Sequence, residues 1–224
     1  MINSTIRTLP TEAHSDTREH ILQVALIEFA KAGIDAVKMS QIRDLAGQSN
    51  RSAVYYHFKT RELLVQAVVD RVKQGLAVHM DKAQQQFQER GPVPTVEAWV
   101  GLVFQPFLNY FMLNPEGPVG IRFLSRLTWQ AGQQGQSVLQ NLFLPYLEPF
   151  EDNLMQCLPG RDRVDVRFRI YLAVNSVVHG LADYSILLAD EQLSPIFERP
   201  DWIKHLNSLF LGYIKGGLAE PTET

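Results

Sequence analysis

The side chains best suited to recognition chemistry lie close together: Asn50, Arg51, Ser52, Tyr55, Tyr56 and His57. An arginine fork matches a guanine edge or a phosphate, and hydroxyls suit phosphate oxygens. Arg51 with Tyr55, and Ser52 with Tyr56, stand four apart, the spacing of neighbours on a helix face. Val54 and Phe58 share that spacing and supply an inward face. An ordinary helix pair with a solvated polar face is the alternative. The clustering of Arg, Asn, Ser, Tyr, Tyr and His in one turn-bounded helix favours DNA binding.

Two short helices around a tight turn must position these groups. The first is expected from Ser40, whose hydroxyl can cap it, with Ile42, Leu45 and Ala46 as its apolar face. Gly47 follows, where a chain leaving a helix often needs positive φ. Ser49 or Asn50 can cap the second helix. The pattern is that of a helix-turn-helix entering the major groove.

Around this core the chain resembles the TetR (tetracycline repressor) family. The resemblance rests on Ile21 to Gly33, which contains Phe29-Ala30-Lys-Ala-Gly33, on Tyr55-Tyr56-His57-Phe58, and on Arg61-Glu62-Leu63-Leu64. It covers residues 17 to 72. It departs from the family in the turn: Ala46 to Tyr55 holds one residue more than the usual pattern. Either Asn50 takes the cap in a longer turn or the second helix starts earlier. Met39 stands where the family often has threonine, and Ser40 could compensate. With the resemblance, the expected DNA contacts are Ser40, Gln41, Ser49, Asn50, Arg51, Ser52, Tyr55, Tyr56, His57, Lys59 and Arg61.

The chain has 224 residues and a net charge of −3. That sum masks a local bias. Between residues 38 and 73 stand Lys38, Arg43, Arg51, Lys59, Arg61, Arg71 and Lys73, opposed by Asp44, Glu62 and Asp70. The single cysteine, Cys157, excludes an intrachain disulfide and any multi-cysteine zinc site, and reads as a core thiol. No signal peptide and no apolar stretch long enough for a bilayer is visible, so a cytoplasmic location is expected. There is no Gly-rich phosphate loop, His-Glu-x-x-His or Gly-x-Ser-x-Gly, so no enzyme, cofactor or metal is expected.

Helical periodicity runs throughout. Residues 1–15 read as a loose arm, 16–60 as the DNA-binding domain and 61–224 as a helical body. A long helix is expected from Arg61 to about Glu89, with Leu64, Ala67, Val68 and Val72 on one stripe. Thr95 caps the next, which Pro106 should kink. A helix over Val119 to Trp129 follows, then one over Ser137 to Leu158 with Pro145 and Pro149. Arg161 to Leu188 reads as one helix, and Asp201 caps the last. The fold expected is all-α, with a three-helix N-terminal DNA-binding domain and a C-terminal ligand-binding and dimerisation domain, about nine helices in all.

The last two long helices carry apolar seams, Ile170, Val174, Val177, Val178 and Leu181, then Ile203, Leu206, Phe210, Leu211 and Ile214. The family implies a homodimer through these helices, and an intramolecular core is the competing reading. A two-fold DNA operator would follow from the dimer. The aromatic middle suggests a site for a small hydrophobic or aromatic effector. Its candidates are Trp99, Val103, Phe104, Phe107, Phe111, Phe123, Trp129, Phe143 and Tyr146, with His179 and Asp183 to orient the ligand. A packed core is the plainer reading of any one of them. The reading is a ligand-released repressor; the alternative is a helix-turn-helix regulator controlled by a protein partner, without an effector.

Overall fold

The computed structural model describes residues 11–50, 52–89, 95–130, 137, 141, 147–148, 150–192 and 194–216. Among them there is no strand. The helices are α1 (Thr11–Ala32), α2 (Met39–Leu45), α3 (Ala53–Phe58), α4 (Arg61–Glu89), α5 (Val96–Leu113) and α6 (Gly117–Gln130). Then come α7, described at 147–148 and 150–157, α8 (Arg163–Ala182), α9 (Tyr184–Ala189), α10 (Ser194–Glu198) and α11 (Trp202–Lys215). No helix among the described residues is long and apolar enough to cross a membrane.

Some expectations are corrected. Residues 11–15, assigned to a loose arm, are the first turn of α1. The span from Arg161 to Leu188 is two helices, because the chain turns at Asp183 and restarts with Ile186 N–H and Leu187 N–H donating to the Asp183 carbonyl (2.8 and 3.1 Å). That break and the short α10 take the count above nine. Asp201 sits at the start of α11 without a side-chain cap bond; its carboxylate faces Arg199 and His205 instead, each at 3.4 Å. Thr95 does cap α5, accepting from Ala98 N–H at 3.2 Å. Pro145 and Pro149 lie outside the described residues.

The first core forms where α1 lays Ile21, Leu22, Ala25, Leu26 and Phe29 against Ile42, Val54, Phe58, Leu64 and Val68, all buried. These positions recur at helical spacing in α1 and α4, so each helix offers one stripe. α1 also packs along α6, where the Phe29 and Phe123 rings stack at 6.4 Å. The N-terminal helices and the body therefore share an apolar seam.

The body is organised on α5, which buries one broad face: Trp99, Val100, Val103, Phe104, Phe107, Leu108, Tyr110 and Phe111. Phe104 stacks on Phe210 of α11 at 4.4 Å, Trp99 meets Phe150 edge-on at 6.2 Å, and Phe111 meets Tyr184 at 5.1 Å. Tyr110 is the wedge where α4, α5 and α6 cross. A Cβ on Gly75 of α4 would stand 2.7 Å from the Tyr110 ring, and one on Gly120 of α6 would collide with its hydroxyl. Burial pushes the Tyr110 phenol up to about 12.

The apolar seams of α8 and α11 face inward. Ile170, Val174, Val177, Val178 and Leu181 are buried, as are Phe210 and Ile214, while Ile203, Leu206 and Leu211 are half-buried. They build the core of one chain, so the intramolecular reading holds for them. A second apolar row stays in solvent: Val164, Phe168, Tyr171 and Leu172 on α8, Leu209 and Tyr213 on α11.

The Tyr110 crossing makes a paired prediction. Gly120→Ala should lower stability in urea unfolding by about 1–3 kcal/mol through overpacking. Gly101→Ala, on α5 with nothing within 4 Å of the added methyl, should raise it by about 0.5–1 kcal/mol. A Gly120→Ala protein as stable as its parent would show that the crossing has slack.

Candidate nucleic-acid interface and a polar cleft in the body

α2 buries Met39 and Ile42, and its C-cap Ala46 continues the same face at helical spacing. Leu45, expected on that face, is exposed. The helix starts one residue earlier than expected, behind Lys38, so Ser40 lies within it and is not its cap. Ser40 is exposed, while Gln41 donates to the Glu28 carboxylate of α1 at 2.9 Å.

Gly47 leaves α2 at φ +64, a conformation that a side chain disfavours. The longer turn is closed by Asn50. Its side-chain oxygen accepts from Ser52 N–H at 2.9 Å, and its carbonyl accepts from Ala53 N–H at 3.0 Å. These bonds satisfy donors that a helix start leaves open. The extra residue is thus taken up ahead of α3, which begins at Ala53. Arg51 lies outside the described residues. Ser49 and Ser52 are exposed.

α3 is short and divided cleanly. Val54 and Phe58 are buried, and Arg18 of α1 lies over the Phe58 ring at 5.0 Å. Tyr55 and Tyr56 point outward, 53% and 71% exposed. His57 is half-buried with its ring edge-on to Tyr56 at 5.2 Å. The packing that holds Val54 and Phe58 therefore presents two tyrosine hydroxyls to solvent.

Lys59 ends α3 at φ 54, ψ −51, and Thr60 N–H reaches back to the Phe58 carbonyl at 2.5 Å. This is a γ-turn, strained for a non-glycine residue. It turns the chain at once into α4, whose first turn Thr60 caps through Leu63 N–H at 3.2 Å. Lys59 stays exposed beside the tyrosines. Arg61 is tied down: it donates to the Ile34 carbonyl and lies 3.9 Å from Asp35. A hollow of about 370 Å³ opens here, lined among others by Lys38, Ser40, Arg43, Tyr55 and Arg61. Lys38 and Arg43 were not among the expected contacts, although the run of basic residues from 38 to 73 already signalled them.

In the body, Trp99, Val103, Phe104, Phe107, Phe111 and Phe123 are all buried and engaged in packing. The Trp129 side chain, Phe143 and Tyr146 lie outside the described residues. His179 and Asp183 do border a concavity. It is polar, about 210 Å³, between α6 and the end of α8, and lined by Arg122, Ser125, Arg126, His179, Ala182 and Asp183. Ser125 Oγ and His179 Nδ1 are hydrogen-bonded at 2.7 Å. Burial holds the His179 imidazole below the usual histidine range, with Asp183 pulling the other way. The α6 residues of this cleft were missed by sequence reading; Arg122 and Arg126, four apart on a helix without carboxylates, were the available signal.

Comparison with known proteins gives two consecutive matches. Residues 21–68 match the family model described as bacterial regulatory proteins, tetR family, and residues 102–209 match a tetracyclin repressor-like C-terminal domain. Two curated relatives, both from Pseudomonas putida, are 32% identical over 82 residues: the probable HTH-type transcriptional regulator ArpR and the HTH-type transcriptional regulator TtgR. Each match covers 37% of this chain and 38% of the relative, so the chain spans well under half the length of the curated relatives it matches. Among solved structures, a TetR-family regulator from Rhodococcus sp. superposes with a TM-score of 0.62 at 15% identity, over 89% of this chain and 97% of that one. The fatty acid degradation regulator FadR from Bacillus halodurans superposes at 0.58, also at 15% identity, over 96% and 100%. At that identity the likeness concerns the fold.

Proposed function

The chain belongs to the TetR family of bacterial regulatory proteins, and from that premise we propose that it is a homodimeric repressor of a two-fold DNA operator, released by a small, largely hydrophobic ligand. Members of the family are DNA-binding transcriptional regulators. The observation that carries the reading for this chain is the division of α3. Val54 and Phe58 anchor it while Tyr55 and Tyr56 face solvent beside Lys59.

In this reading the preceding turn, with Ser49, Asn50, Arg51 and Ser52, approaches base edges. Tyr55, Tyr56, His57, Lys59 and Ser40 take phosphates. Gln41 and Arg61 act by holding the frame, since each already serves a partner within the chain. The dimer is supported by the exposed apolar row Val164, Phe168, Tyr171, Leu172, Leu209 and Tyr213. Such a row on neighbouring helices is what a helical interface leaves bare in one subunit. A second copy also gives the second reading helix that a two-fold site requires. The ligand reading is supported by the match of residues 102–209 to a tetracyclin repressor-like C-terminal domain and by the cleft between α6 and α8, since the aromatic residues around α5 are taken up in packing. Release follows if the ligand favours a spacing of the reading helices that DNA does not.

Two outcomes are expected with labelled DNA flanking the protein's own gene, followed by fluorescence anisotropy. Arg51→Ala should lose about 1–3 kcal/mol and relax sequence preference. Lys59→Ala should weaken all sequences alike and reduce the salt slope by roughly one. A parent protein that binds this DNA no better than random duplex would overturn the repressor reading.

The dimer has its own test. Phe168→Glu with Tyr171→Glu should sediment as a monomer, stay folded by circular dichroism, and lose operator binding. A variant that remains dimeric would place the interface elsewhere.

A further inference from the structure

We infer that the cleft between α6 and α8 is an anion site: it takes the carboxylate or phosphate group of a small ligand between Arg122 and Arg126. The inference rests on the effector reading above only for its consequence on DNA; the binding itself stands apart.

The first argument is charge. Arg122 and Arg126 stand four apart on α6, so they project from the same side of the helix. Like charges at that spacing repel. α6 holds no aspartate or glutamate to offset them. Among the described residues neither arginine forms an ion pair. Arg122 reaches only the Ser185 hydroxyl, at 3.5 Å. Other arginines of this chain are placed differently. Arg71, Arg163, Arg167 and Arg169 each meet a carboxylate within 3 Å. Two guanidiniums left to a concavity have forks free to receive an anion in the two-pronged manner that arginine favours.

The second argument is the shape and lining of the space. The arginines border a cleft of about 210 Å³, smaller than a drug-sized pocket and large enough for a charged group with a ring or short chain behind it. Ser125 and His179, joined at 2.7 Å, supply neutral polar groups on its wall. Among the described lining residues Asp183 is the one carboxylate, so two guanidiniums against it leave a net positive site. It also selects: a ligand with a hydroxyl or amine near its anionic group gains a partner there.

The third argument is position. α6 presents Phe123 to Phe29 of α1 and Ser125 to His179 of α8. An anion drawn between the α6 arginines and the end of α8 acts on the same helix that buttresses α1. Differential binding to two α6–α8 spacings is the form such coupling would take.

The test is isothermal titration of the intact protein with benzoate, phenyl phosphate and uncharged benzamide. Saturable binding of at least one anion, with benzamide much weaker, is expected. Preference for benzoate assigns the site to carboxylates, and preference for phenyl phosphate assigns it to phosphate esters. Arg126→Gln should weaken the bound anion roughly tenfold or more. Arg122→Gln, on an exposed side chain, gives the same reading should Arg126→Gln misfold. Lys204→Gln, on α11, should leave binding unchanged. No saturable anion binding, benzamide binding as well as the anions, or full affinity in both arginine variants would overturn the site. If an anion binds through the arginines yet operator affinity in the anisotropy assay does not move, the anion site stands and its role as an effector site falls.

Discussion

The joint between the N-terminal helices and the body turns on one guanidinium. Arg71 of α4 grips the Glu116 carboxylate with two bonds, at 2.6 and 2.7 Å, and also holds Glu19 of α1. Glu116 lies just ahead of α6, so a single side chain ties three segments that meet nowhere else in sequence. The bond to Glu116 holds Arg71 firmly protonated against the cost of its own desolvation. A partly buried charge of this kind adds little net stability but fixes a geometry, because any other arrangement leaves a carboxylate or the guanidinium unpaired. Glu116 in turn folds its own turn back, accepting from Gly120 N–H at 2.7 Å through its carbonyl.

Once Arg71 sets where α6 begins, Tyr110 sets how close it can come. The ring fills the crossing of α4, α5 and α6, and it can do so only because Gly75 and Gly120 offer no side chain. Close packing without voids transmits displacement in place of absorbing it. α6 is thus held on one side by α1 through Phe123 and on the other by α8 through Ser125. Under the proposed function, this is the physical path by which the body could set the spacing of two reading helices.

Where one face of a helix decides its burial, sequence periodicity was enough. The bounds of α4, the Thr95 cap, the positive φ at Gly47 and the inward Val54 and Phe58 all follow from spacing and local chemistry. α8 shows where that reasoning fails. It is apolar on more than one side, with Ile170 and Val174 buried and Phe168 and Tyr171 exposed. Periodicity finds such residues but cannot say which side its own chain covers. Leu45 failed for a related reason: a seven-residue helix has room for one buried stripe, and Met39 and Ile42, continued by the C-cap Ala46, occupied it. The break at Asp183 was hidden because an aspartate is tolerated within helices and ends one only when tertiary packing redirects the chain after it. The aromatic middle was legible as apolar, but its packing, ring against ring, depends on long-range pairs such as Phe104 with Phe210.

The run of basic residues from 38 to 73 is thinner in space than in sequence. Arg71 belongs to the joint, and Arg61 to Ile34 and Asp35. Arg43 pairs with its neighbour Asp44 at 2.8 Å. These pairs differ in consequence. Asp44 is exposed, and an exposed pair is worth little, so Arg43 can exchange it for a phosphate at small cost. Arg71 cannot leave without opening the joint. Lys38 and Lys59 therefore supply the exposed charge, among the described residues, near Tyr55 and Tyr56, on the face that the proposed function turns to DNA. Hydroxyl contacts release no counterions, so a face built this way relies on fit more than on charge. Under the proposed function, that is how a chain of net charge −3 would meet a polyanion. The acidic excess lies outside the segment from 38 to 73, which in that reading needs only enough cations to offset the phosphates it would touch.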